Sequence, residues 1–243
     1  MTLPDEEVLA FLDENFVLGT KNIQKELHVG MSHGYSPKQS AVGTTNGAGG
    51  RNVQFLVMAP DETVLHVLPG FWHKEDLLAE LRLALEIDKL YRSDSVSMRR
   101  KLEMLPLLHQ AHLRRHGDDE QRRGDWQSFD RQYEVERVAR EPRDTFYAGA
   151  DGVLTLKSIP EVVHERMIAH PFEKLADFDL ESFVDYGRPY YDNNWGDRGK
   201  EFGAAKTANK KREKELEKER KAAAKQAEKD ARAAARADRA ASR

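Results

Sequence analysis

Between Thr44 and Trp72 the chain reads TTNGAGGRNVQFLVMAPDETVLHVLPGFW, a glycine-rich loop, an apolar strand, a tight turn and a second apolar strand. Two apolar runs, Asn52 to Ala59 and Thr63 to Leu68, flank Pro60-Asp61-Glu62 and are expected to pair as a hairpin that Pro69-Gly70 closes. From His73 to Arg92, Leu77, Leu78, Leu81, Leu85 and Leu90 recur at near-helical spacing, which predicts a helix packed on that hairpin. Upstream, Val8, Leu9, Phe11 and Leu12 stand among acids in a short amphipathic helix, followed by a strand candidate from Phe16 to Ile23. The expected class is α/β.

EEVLAFLDENFVLGTKNI resembles the helix end and strand that follow the catalytic helix in larger members of the thioredoxin-like superfamily. VQFLVMAPDETVLHVLPG with the helix after it resembles that family's final hairpin and C-terminal helix, so the likeness covers residues 5–92. It implies a thioredoxin-like domain, N-terminally abbreviated in one reading, because the family's Cys-x-x-Cys would stand at or before the point where this chain starts. The chain has no cysteine, and Val53 occupies the position of the family's cis-proline. A non-proline cis bond costs about 3 kcal/mol, so Val53 is expected to be trans. Thiols are the nucleophiles of disulfide exchange, so the resemblance implies a redox-inactive binding or scaffold protein with a protein partner and no cofactor. A remnant or truncated thiol-disulfide oxidoreductase, with its motif upstream of Met1, is the alternative.

Beyond that block, Asp94 is expected to cap a helix carrying Met98, Leu102, Leu105 and Leu113, which Pro106 should kink or break. Residues 117–145 are mostly charged, yet Trp126, Phe129 and Tyr133 at i, i+3 and i+7 give one helical face an apolar side. Val153 to Ile159 reads as a short strand, and Pro160 to Ala169 as a helix with proline in its first turn. Seven aromatics in the 26 residues from His170 to Trp195 predict an ordered extension wrapped over the main domain. Three parts follow: a thioredoxin-like domain at 1–92, a helical and aromatic-rich extension at 93–199 packing on it, and a charged helical tail at 200–243.

The formal net charge of −3 hides an asymmetry, for the segment from Lys200 to Arg243 holds 15 Lys+Arg against 8 Asp+Glu, while the other 199 residues hold 24 against 34. In the tail, Lys210, Lys214, Lys218, Lys221, Lys225, Lys229, Arg232, Arg236, Arg239 and Arg243 span 33 residues in nine steps, close to the helical repeat of about 3.6. One helix would carry all ten as a stripe. Such a row can match the phosphates of RNA or DNA, a polyanion-binding role, or serve as a solvated appendage. Leu216 is the tail's only large aliphatic residue, which argues against a coiled coil.

The loop residues Thr44, Thr45, Asn46, Gly47, Gly49, Gly50, Arg51 and Asn52 form a candidate ligand- or partner-binding site, since glycine-rich backbone can aim amides at an anion. The loop precedes a strand, unlike a phosphate loop opening a helix, and its other reading is a tight approach to the sheet edge. Ser36 and Ser40 in YSPKQS read as two loop hydroxyls. His109, His112 and His116 at i, i+3 and i+7 share one side of a helix. Three imidazoles with a water are a possible zinc set, but the basic and amide neighbours favour a solvated face, and neither a metal site nor a catalytic set is assigned. His28, His33, His66 and His73 have no shared centre in the sequence. No apolar run of about 18 residues stands in the chain, which excludes a membrane-spanning helix, and the acidic start lacks the pattern of a secretory signal, so the cytoplasm is the expected location.

Overall fold

The computed structural model describes residues 2–23, 26, 28–29, 44–51 and 53–188, without the side chain of Phe129. The chain divides into two units, residues 1–24 with 28–193 and residues 25–27 with 194–243, and every element named below belongs to the first. The fold mixes helices with small antiparallel sheets. Helix α1 spans Glu6–Asn15, and strands β1 (Gln54–Met58) and β2 (Val64–Pro69) form an antiparallel hairpin. Helix α2 (Lys74–Arg92) follows, then α3 (Met98–Leu113), α4 (Asp118–Arg123) and α5 (Ser128–Val138). A second hairpin, β3 (Phe146–Ala148) with β4 (Leu154–Leu156), precedes α6 (Ile159–Ala169) and the single turn α7 (Leu180–Phe183).

All six residues of β2 are buried, so it is the inner strand of its hairpin. The pairing steps from Val57 opposite His66 to Met58 opposite Val64, leaving Leu65 as the extra residue of a bulge. Beyond β2, the Val64 amide donates to the Glu173 carbonyl at 2.8 Å and Thr63 bridges to Lys174, so the segment after α6 covers an edge that would otherwise stay open. The main core joins Val8 of α1, Val67 and Leu68 of β2, Leu77 and Leu81 of α2, and Val162, Val163 and Met167 of α6. A smaller cluster joins Leu65, Leu83 and Ile87 to Leu105, the one buried aliphatic residue of α3.

Helix α2 begins as its apolar spacing predicts, with Glu75 and Asp76 in the first turn and Lys89 and Arg92 in the last, each sign opposite to the helix dipole. Helix α6 carries proline in its first turn and a full capping box between Ser158 and Glu161. Other expectations need correction. Residues 16–23 form no strand, because Val17 and Leu18 face solvent and the first sheet has only β1 and β2. The cap of α3 is Ser97, whose hydroxyl accepts from the Arg100 amide, and not Asp94. Pro106 sits inside α3 without ending it, since the carbonyl its ring leaves free belongs to Leu102, on the exposed side. Trp126 does dock, its indole N–H donating to the Lys157 carbonyl at 2.6 Å, but it precedes α5, and the buried face of α5 presents Asp130 and Glu134. As far as Arg188 the aromatic segment wraps as expected, with Phe178, Phe183 and Tyr186 in the core. None of the peptide bonds between described residues is cis, and no helix among the described residues is long and apolar enough to cross a membrane.

Candidate metal centre

Helix α2 turns Asp76 and Glu80, one helical turn apart, toward the interior. Asp76 is satisfied on the spot, taking two hydrogen bonds from Arg123 at 2.7 and 2.6 Å and one from the Asn46 amide at 2.6 Å. Glu80, 1% exposed, meets imidazoles instead. Its Oε2 lies 2.8 Å from His66 Nε2, on β2, and its Oε1 lies 3.2 Å from His164 Nε2, on α6. His112 Nε2, near the end of α3, is 3.3 Å from the same Oε1. Behind His164, its Nδ1 and the Nδ1 of His109 are 2.7 Å apart. His116 stacks edge-on to His112 with ring centres 5.0 Å apart, and its Nε2 is 3.3 Å from Glu120 Oε1.

One ligand atom from each of Glu80, His112, His116 and His164 lies within 4.8 Å of the others. Zinc bonds to nitrogen and carboxylate oxygen are about 2.0–2.2 Å long, which makes a tetrahedral edge about 3.3–3.5 Å. The separations of 3.2 and 3.3 Å from Glu80 Oε1 to the two Nε2 atoms are close to that edge, so these three donors need little movement to share an ion. His112 Nε2 and His116 Nε2 are buried, and each meets only a carboxylate oxygen at 3.3 Å, of Glu80 and of Glu120, without good hydrogen-bond geometry. Buried polar atoms left unpaired are uncommon and call for a physical explanation.

The electrostatics are those of a carboxylate enclosed by imidazoles. Burial works to raise the Glu80 carboxyl, but the field of His164 and the contacts with His112, His164 and His66 outweigh it and hold the group well below the usual carboxylate range. Burial lowers His66. It takes His109 down to about 2, with His164 adding to the effect, and His116 down to about 4, with His112 adding. His112 is the exception, since burial lowers it but the nearness and charge of Glu80 carry it above its ordinary value. Without an ion, Glu80 is therefore ionised, and its carboxylate favours the protonated form of His112. Burial, with repulsion from Asp76, raises Glu120 beside His116.

This arrangement corrects the sequence reading of His109, His112 and His116 as a solvated face: the first two are buried, and His116 is mostly enclosed. Against the expectation of no metal site, they converge with Glu80, His164 and His66, which no local spacing linked to them. His73 stands apart, its Nε2 donating to the Thr44 carbonyl at 2.7 Å.

The glycine-rich loop is drawn inward. Asn46 donates to Asp76 and accepts from the His73 amide at 2.8 Å, the Gly47 amide donates to the Phe71 carbonyl at 2.6 Å, and the Gly47 carbonyl accepts from the Tyr186 hydroxyl at 2.9 Å. Arg51, 2% exposed, stacks over the Tyr186 ring at 4.2 Å and donates to the carbonyls of Gly49, at 2.9 Å, and Tyr186. Thr44 and Gly50 are buried, and the Thr45 hydroxyl is buried without a hydrogen-bond partner. The loop thus ties the start of α2 to Tyr186. Asn52, His33, Ser36, Ser40 and the ten tail cations from Lys210 to Arg243 lie outside the described residues. No family model, no curated protein and no solved structure matches the chain.

Proposed function

We propose that the protein binds one divalent first-row metal ion, zinc in the first instance, through Glu80, His112, His116 and His164, on a thioredoxin-like scaffold that works without thiol chemistry. The observation that carries the metal reading is the convergence of one ligand atom from each of Glu80, His112, His116 and His164 within 4.8 Å of one another around a buried carboxylate. An ion would engage all four donors at once. Three imidazoles and one carboxylate suit zinc and the neighbouring transition metals far better than calcium or magnesium, which prefer all-oxygen surroundings. The thioredoxin-like part of the reading draws support from the antiparallel hairpin β1–β2 followed by α2, whose Leu77, Leu78 and Leu81 share its core. Without cysteine, that scaffold has no thiol for disulfide exchange.

Elemental analysis of the purified full-length chain, followed by zinc titration against a chromophoric chelator, tests the proposal. One zinc per chain is expected, with binding lost in Glu80→Gln and His164→Gln. Failure of the wild type to compete with the chelator, or wild-type affinity in both variants, would refute it.

A further inference from the structure

Two buried histidines touch the centre without belonging to the four-residue ligand set. His66 makes its hydrogen bond to the carboxylate, with its Nε2 2.8 Å from Glu80 Oε2, and stacks on His164 with ring centres 5.5 Å apart, while the other oxygen, Oε1, faces His164 and His112. His109 bonds to the back of His164, Nδ1 to Nδ1 at 2.7 Å, with its ring centre 5.8 Å from that of His66. We infer that His66 and His109 are positioning residues of the metal centre, His66 holding Glu80 to one-oxygen ligation and His109 setting the tautomer of His164; the inference rests on the metal reading above.

The proton inventory leads there directly. An ionised carboxylate only accepts, so the short contact to Glu80 Oε2 requires the proton of His66 on Nε2. Its Nδ1, buried and without a partner, is then a bare lone pair. That donation occupies Oε2 and leaves Oε1 for the ion. Between His109 and His164 one of the two Nδ1 atoms carries the shared proton. In the metal-free centre His164 donates from Nε2 to Glu80 Oε1, and its Nδ1 accepts from His109. An ion on His164 Nε2 displaces the proton there, so Nδ1 must carry the ring's proton and donate to His109 Nδ1, and His109, having given up its Nδ1 proton, must take one on Nε2. One proton leaves His164 Nε2, one crosses the 2.7 Å contact and one joins His109 Nε2, so the two rings exchange tautomers without gaining or losing a proton. Partners of this kind orient metal ligands and raise their basicity.

Long-range proton–nitrogen correlation spectra of the 15N-labelled full-length protein, with chelator and with zinc, read the tautomers directly. The expected result is His66 protonated on Nε2 in both states, and His164 changing from Nε2-protonated to Nδ1-protonated as zinc binds while His109 changes in the opposite sense. The affinities of His66→Leu and His109→Leu are expected to fall about 10–100-fold with one zinc per chain retained, and His66→Gln, which keeps a side-chain N–H donor, to recover part of the loss. Zinc-shifted nitrogens on His66 or His109 would make them ligands and overturn the inference, as would unchanged tautomers in the wild type, a measurement that needs no variant to fold. Wild-type affinity in both Leu variants would do the same while leaving the four-ligand site standing. A wild-type chain that takes up no zinc would remove the metal reading and this inference with it.

Discussion

Replacing Glu80 by glutamine probes the centre at its most buried charge. Glu80 takes hydrogen bonds from His66 at 2.8 Å and His164 at 3.2 Å, and at 1% exposure neither is screened by solvent. Hydrogen bonds to a charged acceptor contribute roughly 1.5–3 kcal/mol each. Glutamine keeps one acceptor oxygen and turns the other into a donor, so one bond survives and the metal-free variant should lose about 1.5–3 kcal/mol. Zinc adds a second difference. At a free concentration about 100 times Kd, a ligand that binds only the folded state stabilises it by about 2.7 kcal/mol. At about 2–4 °C per kcal/mol for a domain of this size, the wild-type Tm should rise by about 5–11 °C with zinc, and that of the variant, lacking the anionic ligand, by less than about 2 °C. Scanning calorimetry of both proteins in chelator and in zinc measures the two effects separately. Equal zinc-induced shifts would refute the assignment of Glu80 as a ligand, and equal stabilities in chelator would refute the claim that its hydrogen bonds hold the metal-free core.

Three further outcomes follow from other parts of the fold. Gly47 has φ +72°, and a Cβ there would lie 2.3 Å from Ile159 Cγ2 and 2.8 Å from the Tyr186 hydroxyl, so Gly47→Ala should lower the stability read from urea unfolding by about 1–3 kcal/mol, the range for overpacking, while Gly49→Ala, with open space around it, should lower it less. Burial raises the Asp185 carboxyl, but its bonds from Arg137 at 2.7 and 2.8 Å outweigh this and depress it, so its stabilisation is present above the unfolded value of about 3.9 and is lost as pH falls through the lower folded value. The stability gap between wild type and Arg137→Met should accordingly be wide at pH 7 and close below about pH 4, and a gap unchanged by acid would count against the pairing. Removal of the metal by chelator should raise hydrogen exchange in residues 98–113 before it does so in β2, and uniform exchange across both would contradict the dependence of α3 on the centre.

Much of the scaffold was legible because it obeys one period at a time. The hairpin, α2 and α6 each show a regular apolar spacing, and two of them have a boundary signal with a mechanism, Pro69-Gly70 in one case and Pro160 in the first turn in the other. The strand proposed at 16–23 failed because Val17 and Leu18 offer a β-forming run with nothing to pair against. The spacing of His109, His112 and His116 was visible, but their burial was not, since charged and amide neighbours on the same helix argued for water. The signal that could have revealed it lay on other helices. Glu80 falls inside the apolar stripe of Leu77, Leu81 and Ala84, and His164 inside that of Pro160, Val163 and Met167. A charged or titratable residue at a core position needs a partner. Sequence spacing does not identify that partner, because it comes from another element, 84 residues away in the case of Glu80 and His164.

The centre also accounts for how α3 is held. Among its 16 residues only Lys101, Leu105, His109 and His112 are buried, and Leu105 alone is aliphatic. Leu105, with half-buried Leu108 beside it, removes little apolar area from water, at roughly 1.5–3 kcal/mol for a fully buried side chain, which is small against the backbone entropy of ordering four helical turns. The other buried side chains of this face attach through polar contacts: the Lys101 ammonium on the Tyr91 carbonyl at 2.5 Å, His109 against His164, and His112 against Glu80. Contacts of that kind contribute when complete and penalise when partial, and His112 Nε2 and His116 Nε2 have only 3.3 Å contacts of poor geometry to Glu80 and Glu120. An ion completes them only when α2, α3 and α6 are already docked, so its binding free energy becomes free energy of docking. The same residues that make α3 a poor core helix make it a fitting side of a metal centre, and its stability is therefore tied to occupancy in a way that β2 and α6, seated in aliphatic core, are not.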